Sequence, residues 1–183
     1  MRIINLLINW KIPAQANWLL PTLARLLFAA ILLIYFWKSA LTKVGDGIFG
    51  FLSPSPGAYA QIFPSASAAV GYDPSQLGIF HWIVAMAGMY AEFILPLLIL
   101  VGLFARLAAL GMIGFVIVQS VVDIFGHGLD DKSIGGWFDR WPDAIIWDQR
   151  ALWTFLLIVT IVKGAGPVSL DNLLSKRLGF HGK

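Results

Sequence analysis

The chain contains no cysteine, which excludes disulfide relays, thiolate-held metals, iron–sulfur clusters and haem attached through a C-x-x-C-H motif. Redox chemistry on this chain therefore requires a separately bound cofactor. Charge is scarce too: 13% of the 183 residues are charged and 58% are hydrophobic, against about 25% charged in soluble domains. This is the composition of an integral membrane protein. Thirteen basic and ten acidic residues leave a net charge of only +3. That small excess is broken up by apolar runs, so nucleic acid is not an expected partner. Also missing are a Walker loop, a G-x-G-x-x-G fingerprint, a G-x-S-x-G elbow and an H-E-x-x-H pair, which leaves no basis for a self-sufficient hydrolase or NTPase.

What the sequence has in quantity is long apolar segments. A helix needs about 20 apolar residues to cross the hydrocarbon core of a bilayer. Residues 19–41 supply one span. Residues 79–125 are too long for one helix and must fold back once, near GLFAR at 102–106, where a helix breaker meets a charge. The predicted spans are 19–41, 79–103, 105–126 and 145–163, the last closed by GAGP at 164–167. The predicted fold class is all-α, an antiparallel bundle of four transmembrane helices with short interfacial helices.

The segments between and around the spans carry their own signals. Residues 1–18 read as an interfacial segment, with Ile3, Leu6, Leu7 and Trp10 toward lipid and Arg2, Asn9 and Lys11 toward water. The apolar core from Ile3 to Ile8 is shorter than the ~7 to 15 residues of a signal peptide. The loop at 44–78 is rich in glycine, proline and serine, yet it carries Phe49, Phe51, Leu52, Tyr59, Ile62 and Phe63. Short helical or re-entrant pieces on the bundle end are expected there, because a free linker would expose those groups. The loop at 127–144 and its flank place Trp137, Phe138, Trp141 and Trp147 among aspartates, which suits an interfacial aromatic belt. In the tail at 169–183, Ser169 can cap a short amphipathic helix, Asp171 suits its N-terminus, and Leu170, Leu173 and Leu174 can rest on the membrane. Lys38 and Lys163 are expected to snorkel to headgroups, and His181 to be solvated.

Charge predicts sidedness. With both termini cytoplasmic, Arg2, Lys11, Arg25, Arg106, Lys163, Lys176, Arg177 and Lys183 lie inside against Asp171 alone. Lys38, Lys43, Lys132, Arg140 and Arg150 then lie outside against eight aspartates. Lys38 and Lys43 oppose this orientation, but the reverse would export more positive charge.

The most expensive residue to bury is Glu92, thirteen residues into the second span, with Tyr90 its polar sequence neighbour. An intramembrane acid implies a function or a partner. Pro96, four residues on, should leave the carbonyl of Glu92 without its helical donor. Arg25, about 10 Å deep in the first span, is the expected partner at a similar level. Three readings stay open: a buried ion pair fixing helix register, a pocket for a quinone or lipid headgroup, and a protonated Glu92 facing lipid. In the pocket reading, Arg25, Glu92 and Tyr90 are the candidate ligand-binding residues.

Phe115, Gln119, Asp123 and His127 are spaced by four and share one stripe of the third span. His81 starts the second span at a similar height, so His81, Asp123 and His127 are candidate ligands for zinc or copper, and the two histidines for haem. The competing reading is a polar mouth where a helix leaves the membrane.

The stretches LARLLFAAILLIYFWKSALTKV, AEFILPLLILVGLFARLAALGM and KGAGPVSLDNLL resemble the DoxX family. Arg25, Lys38, Glu92, Gly102, Arg106, Gly166, Ser169, Leu170 and Asp171 stand at positions similar to that family's pattern, and the resemblance covers about residues 20–175. It implies a small four-helix protein of the bacterial inner membrane. Its name-giving members are subunits of thiosulfate:quinone oxidoreductase, and others are associated with membrane redox and thiol-stress assemblies. The resemblance thus implies quinone-linked redox work within a complex, by a subunit that is not an autonomous enzyme. The long tryptophan-rich loop at 126–150 departs from the shortest members and suggests an outer protein partner. The alternative is a non-enzymatic scaffold or assembly factor for an exported or metal-handling protein. Lipid is an expected partner in either case, and self-association into a homo-oligomer is compatible with both.

Overall fold

The computed structural model describes residues 18–179, all helix, turn and loop apart from an isolated bridge between Val44 and Pro54. The interfacial segment expected at 1–18 falls, except for Trp18, outside the described residues, as does His181. Helix α1, Leu19–Lys43, is followed by a 3-10 turn at Gly50–Leu52 and two short helices, α2 (Pro56–Ile62) and α3 (Pro64–Ala69). Helix α4 is Ile79–Val101. Helix α5, Ala105–Val121, ends in a π turn at Val122–Gly126. After the one-turn α6, Asp131–Ile134, a π turn at Ile145–Gln149 leads into α7, Arg150–Lys163, and α8 is Leu170–Arg177. Four segments are long and apolar enough to cross a membrane: Leu19–Lys43, Ile79–Val101, Ala105–Gly126 and Ile145–Lys163. The architecture is the expected all-α polytopic bundle with short accessory helices.

The bundle is built around α1. Phe28, Leu32, Phe36 and Ala40 repeat every four residues, lie on one face and are buried. The first three form one core with Ile99 of α4, Ala108, Ala109, Met112 and Val116 of α5, and Leu157 of α7. The opposite face of α1 leaves Leu23, Leu27, Ile31 and Ile34 exposed, as hydrocarbon contact requires. Lipid is as apolar as leucine, so packing rather than water exclusion must hold the helices together, and the small residues Ala24, Ala29, Ala40, Ala85, Ala105, Ala108 and Ala109 at buried positions let backbones approach. Helix α4 runs unbroken through Pro96. One turn before it, Trp37 Nε1 donates to the Phe93 carbonyl at 3.1 Å, giving a backbone oxygen near the proline an outside partner.

The hairpin between α4 and α5 turns at Gly102–Phe104. Gly102 (φ 67) caps α4 in the left-handed region, and Phe104 (φ 47) starts α5 from the same region. A Cβ on Gly102 would collide with the Arg25 guanidinium and with Ser169. Ser169 caps α8 by accepting from Asn172 N at 3.2 Å, as its position suggests. Asp171 does more than anchor the tail. Its carboxylate accepts from Phe104 N at 2.7 Å and Ala105 N at 3.0 Å, and its own N–H donates to Gly102 O at 2.9 Å. The tail therefore supplies the N-terminal cap of α5, two groups that would otherwise be orphaned.

The end of the bundle where α1 finishes, here the loop end, is covered by short elements. Ser55 caps α2 and Pro56 opens it; Tyr59 is buried. Asp130 caps α6 through the Ser133 N–H at 2.7 Å, and that N–H, with the Ser133 hydroxyl, holds the Asp130 carboxyl below its ordinary range. Trp137 lies edge-on to Trp147 at 5.3 Å and donates to its carbonyl, while Phe138 and Trp141 are exposed.

Replacing Gly102 with alanine forces a left-handed conformation costing about 1–2 kcal/mol, and adds the collision with Arg25. Thermal unfolding of the purified protein in detergent should show the loss, whereas Gly114→Ala, with open space at its Cβ position, should show none.

Candidate ligand site between the spanning helices

Buried charge sets the geometry. Lys43, on the last turn of α1, is 5% exposed and Glu92 on α4 is 2% exposed. The lysine folds back one turn, and its Nζ lies 2.8 Å from Ser39 Oγ, 3.3 Å from Ser39 O, and 3.1 and 2.9 Å from the two oxygens of Glu92. Ser39 Oγ in turn donates to Glu92 Oε1 at 2.9 Å. Three side chains from two helices thus form a closed, charge-balanced cluster.

The expected pairing of Arg25 with Glu92 is not formed. Arg25 is 1% exposed and serves the opposite end of the bundle. Its Nη1 donates to Leu100 O at 2.8 Å and to Ile99 O at 3.5 Å, and its Nη2 to Val168 O. The reason is positional: the last carbonyls of a helix have no partners within it, and they carry the negative end of its dipole. Those of α4 lie beside Arg25, whereas Glu92 sits about 12 Å further up α4 at 1.5 Å per residue. The true partner was readable in the sequence, since Lys43 continues the buried stripe Phe28–Leu32–Phe36–Ala40 and stands four residues after Ser39. Counting Lys43 among the outer-side charges concealed it. Tyr90 also leaves the site: its hydroxyl donates to Phe51 O at 2.8 Å, tying α4 to the loop, and it does not line the cavity described next.

A cavity of about 460 Å³ opens beside the cluster. Val84, Gly88, Ala91 and Leu95 of α4 face Gly111, Phe115 and Val118 of α5, and Val122 of the π turn, across it. Glycine and alanine make the room: a Cβ at Gly114, which also lines the space, would touch nothing within 4 Å. Ser39, Lys43 and Glu92 form one polar wall, Gln119 and Asp123 lie further along, and Gln61, Ile62 and His127 lie at the loop end. The volume falls within the roughly 300–1,000 Å³ of small-molecule sites, which are likewise mostly apolar with few polar groups.

The structure does not gather His81, Asp123 and His127 into one group. Among the described residues no group of three or more His, Cys, Asp or Glu side chains could hold a metal ion. Asp123 is claimed by Arg150, whose Nη2 lies 2.5 Å from its Oδ2 and whose Nη1 donates to Ser120 Oγ at 2.9 Å. The two π turns bring these partners together, since one contains Asp123 and the other ends next to Arg150. His127 Nε2 meets Gln61 O at 2.9 Å, and His81 packs edge-on against Phe63 at 4.7 Å. The two histidines are thus engaged by different partners. Arg150 was grouped in the sequence with solvent-side charges, so its demand on Asp123 went unseen.

Fold and site together define a small polytopic membrane protein with an amphipathic pocket among its spanning helices. The DoxX family model matches residues 20–123, which run from α1 into the π turn that ends α5, and the chain belongs to the DoxX family. No curated protein and no solved structure matches it.

Replacing Lys43 with methionine strands a buried carboxylate and should cost about 3–5 kcal/mol, whereas Lys43→Met combined with Glu92→Leu should recover most of that loss. Unfolding midpoints of the two single variants and the double variant measure it; equal losses in all three would remove the ion pair as the cause.

Proposed function

We propose that this DoxX-family protein is a non-autonomous subunit of a quinone-linked redox assembly in the bacterial inner membrane, and that the cavity between α4 and α5 receives a quinone headgroup. The observation that carries this reading is the Lys43–Ser39–Glu92 cluster forming one wall of an otherwise apolar cleft of about 460 Å³. The lining suits such a group: apolar walls for a ring, a small polar wall for its oxygens, and an acid able to exchange a proton. A bound quinone would supply two-electron chemistry, with the electrons coming from a partner protein. Lys43 holds the carboxylate in place, Ser39 orients one of its oxygens, and Glu92 lines the cleft. The glycine-lined wall admits the ring, and α2 shields the loop end through Ile62, whose Cδ1 lies against Gly88.

Sidedness belongs to the same reading, with both termini cytoplasmic. Arg106 lies beside Gly164, and Lys163, Lys176 and Arg177 end their helices near the same face, while the loop end carries Asp46, Asp73, Asp130, Asp131, Asp139 and Asp143. The scaffold alternative draws on the exposed Trp137, Phe138 and Trp141, a surface suited to a protein partner. It predicts that changing all three to alanine abolishes co-purification of that partner.

The test of the quinone reading is Gly114→Leu, which adds bulk at a cleft-lining position where a Cβ would meet nothing within 4 Å. Quinone extracted from gently purified protein should fall at least tenfold with an unchanged unfolding midpoint, and undiminished quinone would sink the proposal. Separately, an alkaline phosphatase fused after residue 183 should be inactive in cells and one inserted between residues 136 and 137 active; the reverse pattern would invert the topology.

A further inference from the structure

Access decides which ligands can reach the cleft. At the loop end, residues 61–64 lie across it and are tied to the helices on either side. Gln61 Nε2 donates to Thr42 Oγ1 of α1 at 3.1 Å, and the Gln61 carbonyl lies 2.9 Å from Nε2 of His127, just past the π turn. Ile62 Cδ1 comes within 3.3 Å of where a Cβ on Gly88 of α4 would stand, and Pro64 Cγ within 2.9 Å of the same position on Gly126. Toward the hairpin, Leu95 fills the gap, its Cδ2 lying 3.3 Å from the Cβ position of Gly111. The cleft is thus covered at both ends.

Its side between α4 and α5 is different. Ile83 and Val118 line the cleft and yet are 53% and 58% exposed, and the cleft-lining Ala87, Gly111 and Gly114 are exposed as well. Ile83 and Ala87 stand four residues apart on α4, and Gly111, Gly114 and Val118 three and four apart on α5, so each set forms one edge along its helix. All five lie within spanning segments, where the surroundings of the chain are hydrocarbon. At Gly114 a Cβ would meet nothing within 4 Å. The two edges bound a slot about 10 Å long, counted from Gly111 to Val118 at 1.5 Å per residue, and it joins the cleft to the bilayer.

We infer that ligands enter and leave the cleft sideways, from the bilayer through the slot between α4 and α5, and that the slot holds the apolar tail of a membrane-dissolved amphiphile whose polar head lies against the Lys43–Ser39–Glu92 wall. This rests on the quinone-linked reading and adds the route and the class of ligand, a quinone carrying a long hydrocarbon tail. Passing the loop end would require parting Gln61 from Thr42 and from His127, whereas the apolar edges of the slot present no bond to break. Lipid is as apolar as the side chains that would replace it around the tail, so the tail can stay partly in the bilayer while the head docks. A second copy of the chain is the competing occupant. A helix is about 10 Å across with its side chains, too thick to follow a cleft of about 460 Å³ to its polar wall; a ring with one chain is not.

The experiment uses the full chain in nanodiscs and a decyl-substituted benzoquinone with a diazirine on the second carbon of its tail. Photolysis followed by peptide mapping locates the tail. Adducts are expected at the slot, within residues 83–87 and 111–118, and an excess of unlabelled decyl-benzoquinone should reduce them at least tenfold. The mapping uses the unaltered protein and so does not depend on how any variant folds. Adducts that the excess competes away from residues 55–64 or 127–137 instead would put the tail at the loop end, overturning this inference while leaving the quinone-linked reading standing. Val118→Cys, in a chain otherwise without cysteine, should stay monomeric under mild oxidation in membranes; complete conversion to a disulfide-linked dimer would mean that a second copy closes the slot, and would overturn the inference likewise. Labelling that excess quinone nowhere reduces would overturn both.

Discussion

A cation carried into hydrocarbon must find its neutralising partner on another helix, and α1 carries one at each end of its buried face. Arg25 is met by the terminal carbonyls of α4 and by the segment before α8; Lys43 is met by a formal carboxylate on α4. These two contacts fix the vertical register of α1 against α4, because sliding either helix by one turn would break both. The apolar stripe between them, Phe28 to Ala40, could tolerate such a slide with modest repacking. Charge, though rare in this chain, therefore specifies what the abundant apolar surface leaves loose.

The same economy of polar groups shapes the cleft. Gly88, Gly111 and Gly114, with Ala87 and Ala91, leave open a space between α4 and α5 that larger residues would fill, and the ion pair at the wall prevents the gap from being wholly greasy. Asp123 and Arg150 hold α5 to α7 at the loop end, so the cleft is bracketed by polar ties on helices that also form the main core. The seven-residue α2 and six-residue α3 lie at the loop end, where Ile62 of α2 helps line the cleft.

Much of this was legible before any coordinates. Long apolar runs, a single charged hairpin turn and a terminal GAGP determine four spans, since hydrocarbon permits little else. Glu92 stood out because an acid in such a run is expensive. Its partner did not, because sequence depth was judged from each helix end separately, and a flexible lysine reaches back a full turn from where its backbone lies. The histidine and aspartate stripe misled for a related reason. Spacing places side chains on one face, but which neighbour claims them depends on residues far away in sequence, here Arg150, twenty-seven positions beyond Asp123. The role of Asp171 on the α5 terminus was hidden in the same way, since capping between distant segments leaves no local pattern.

That last contact bears on how the molecule is made. The hairpin of α4 and α5 leaves the ribosome some seventy residues before Asp171 does, so it enters the bilayer with the first amides of α5 still lacking their carboxylate. Only when the final stretch has been synthesised can the turn be sealed and the Arg25 guanidinium receive the Val168 carbonyl. Translation order thus makes the C-terminal piece a keystone, the element whose arrival converts inserted segments into a finished bundle.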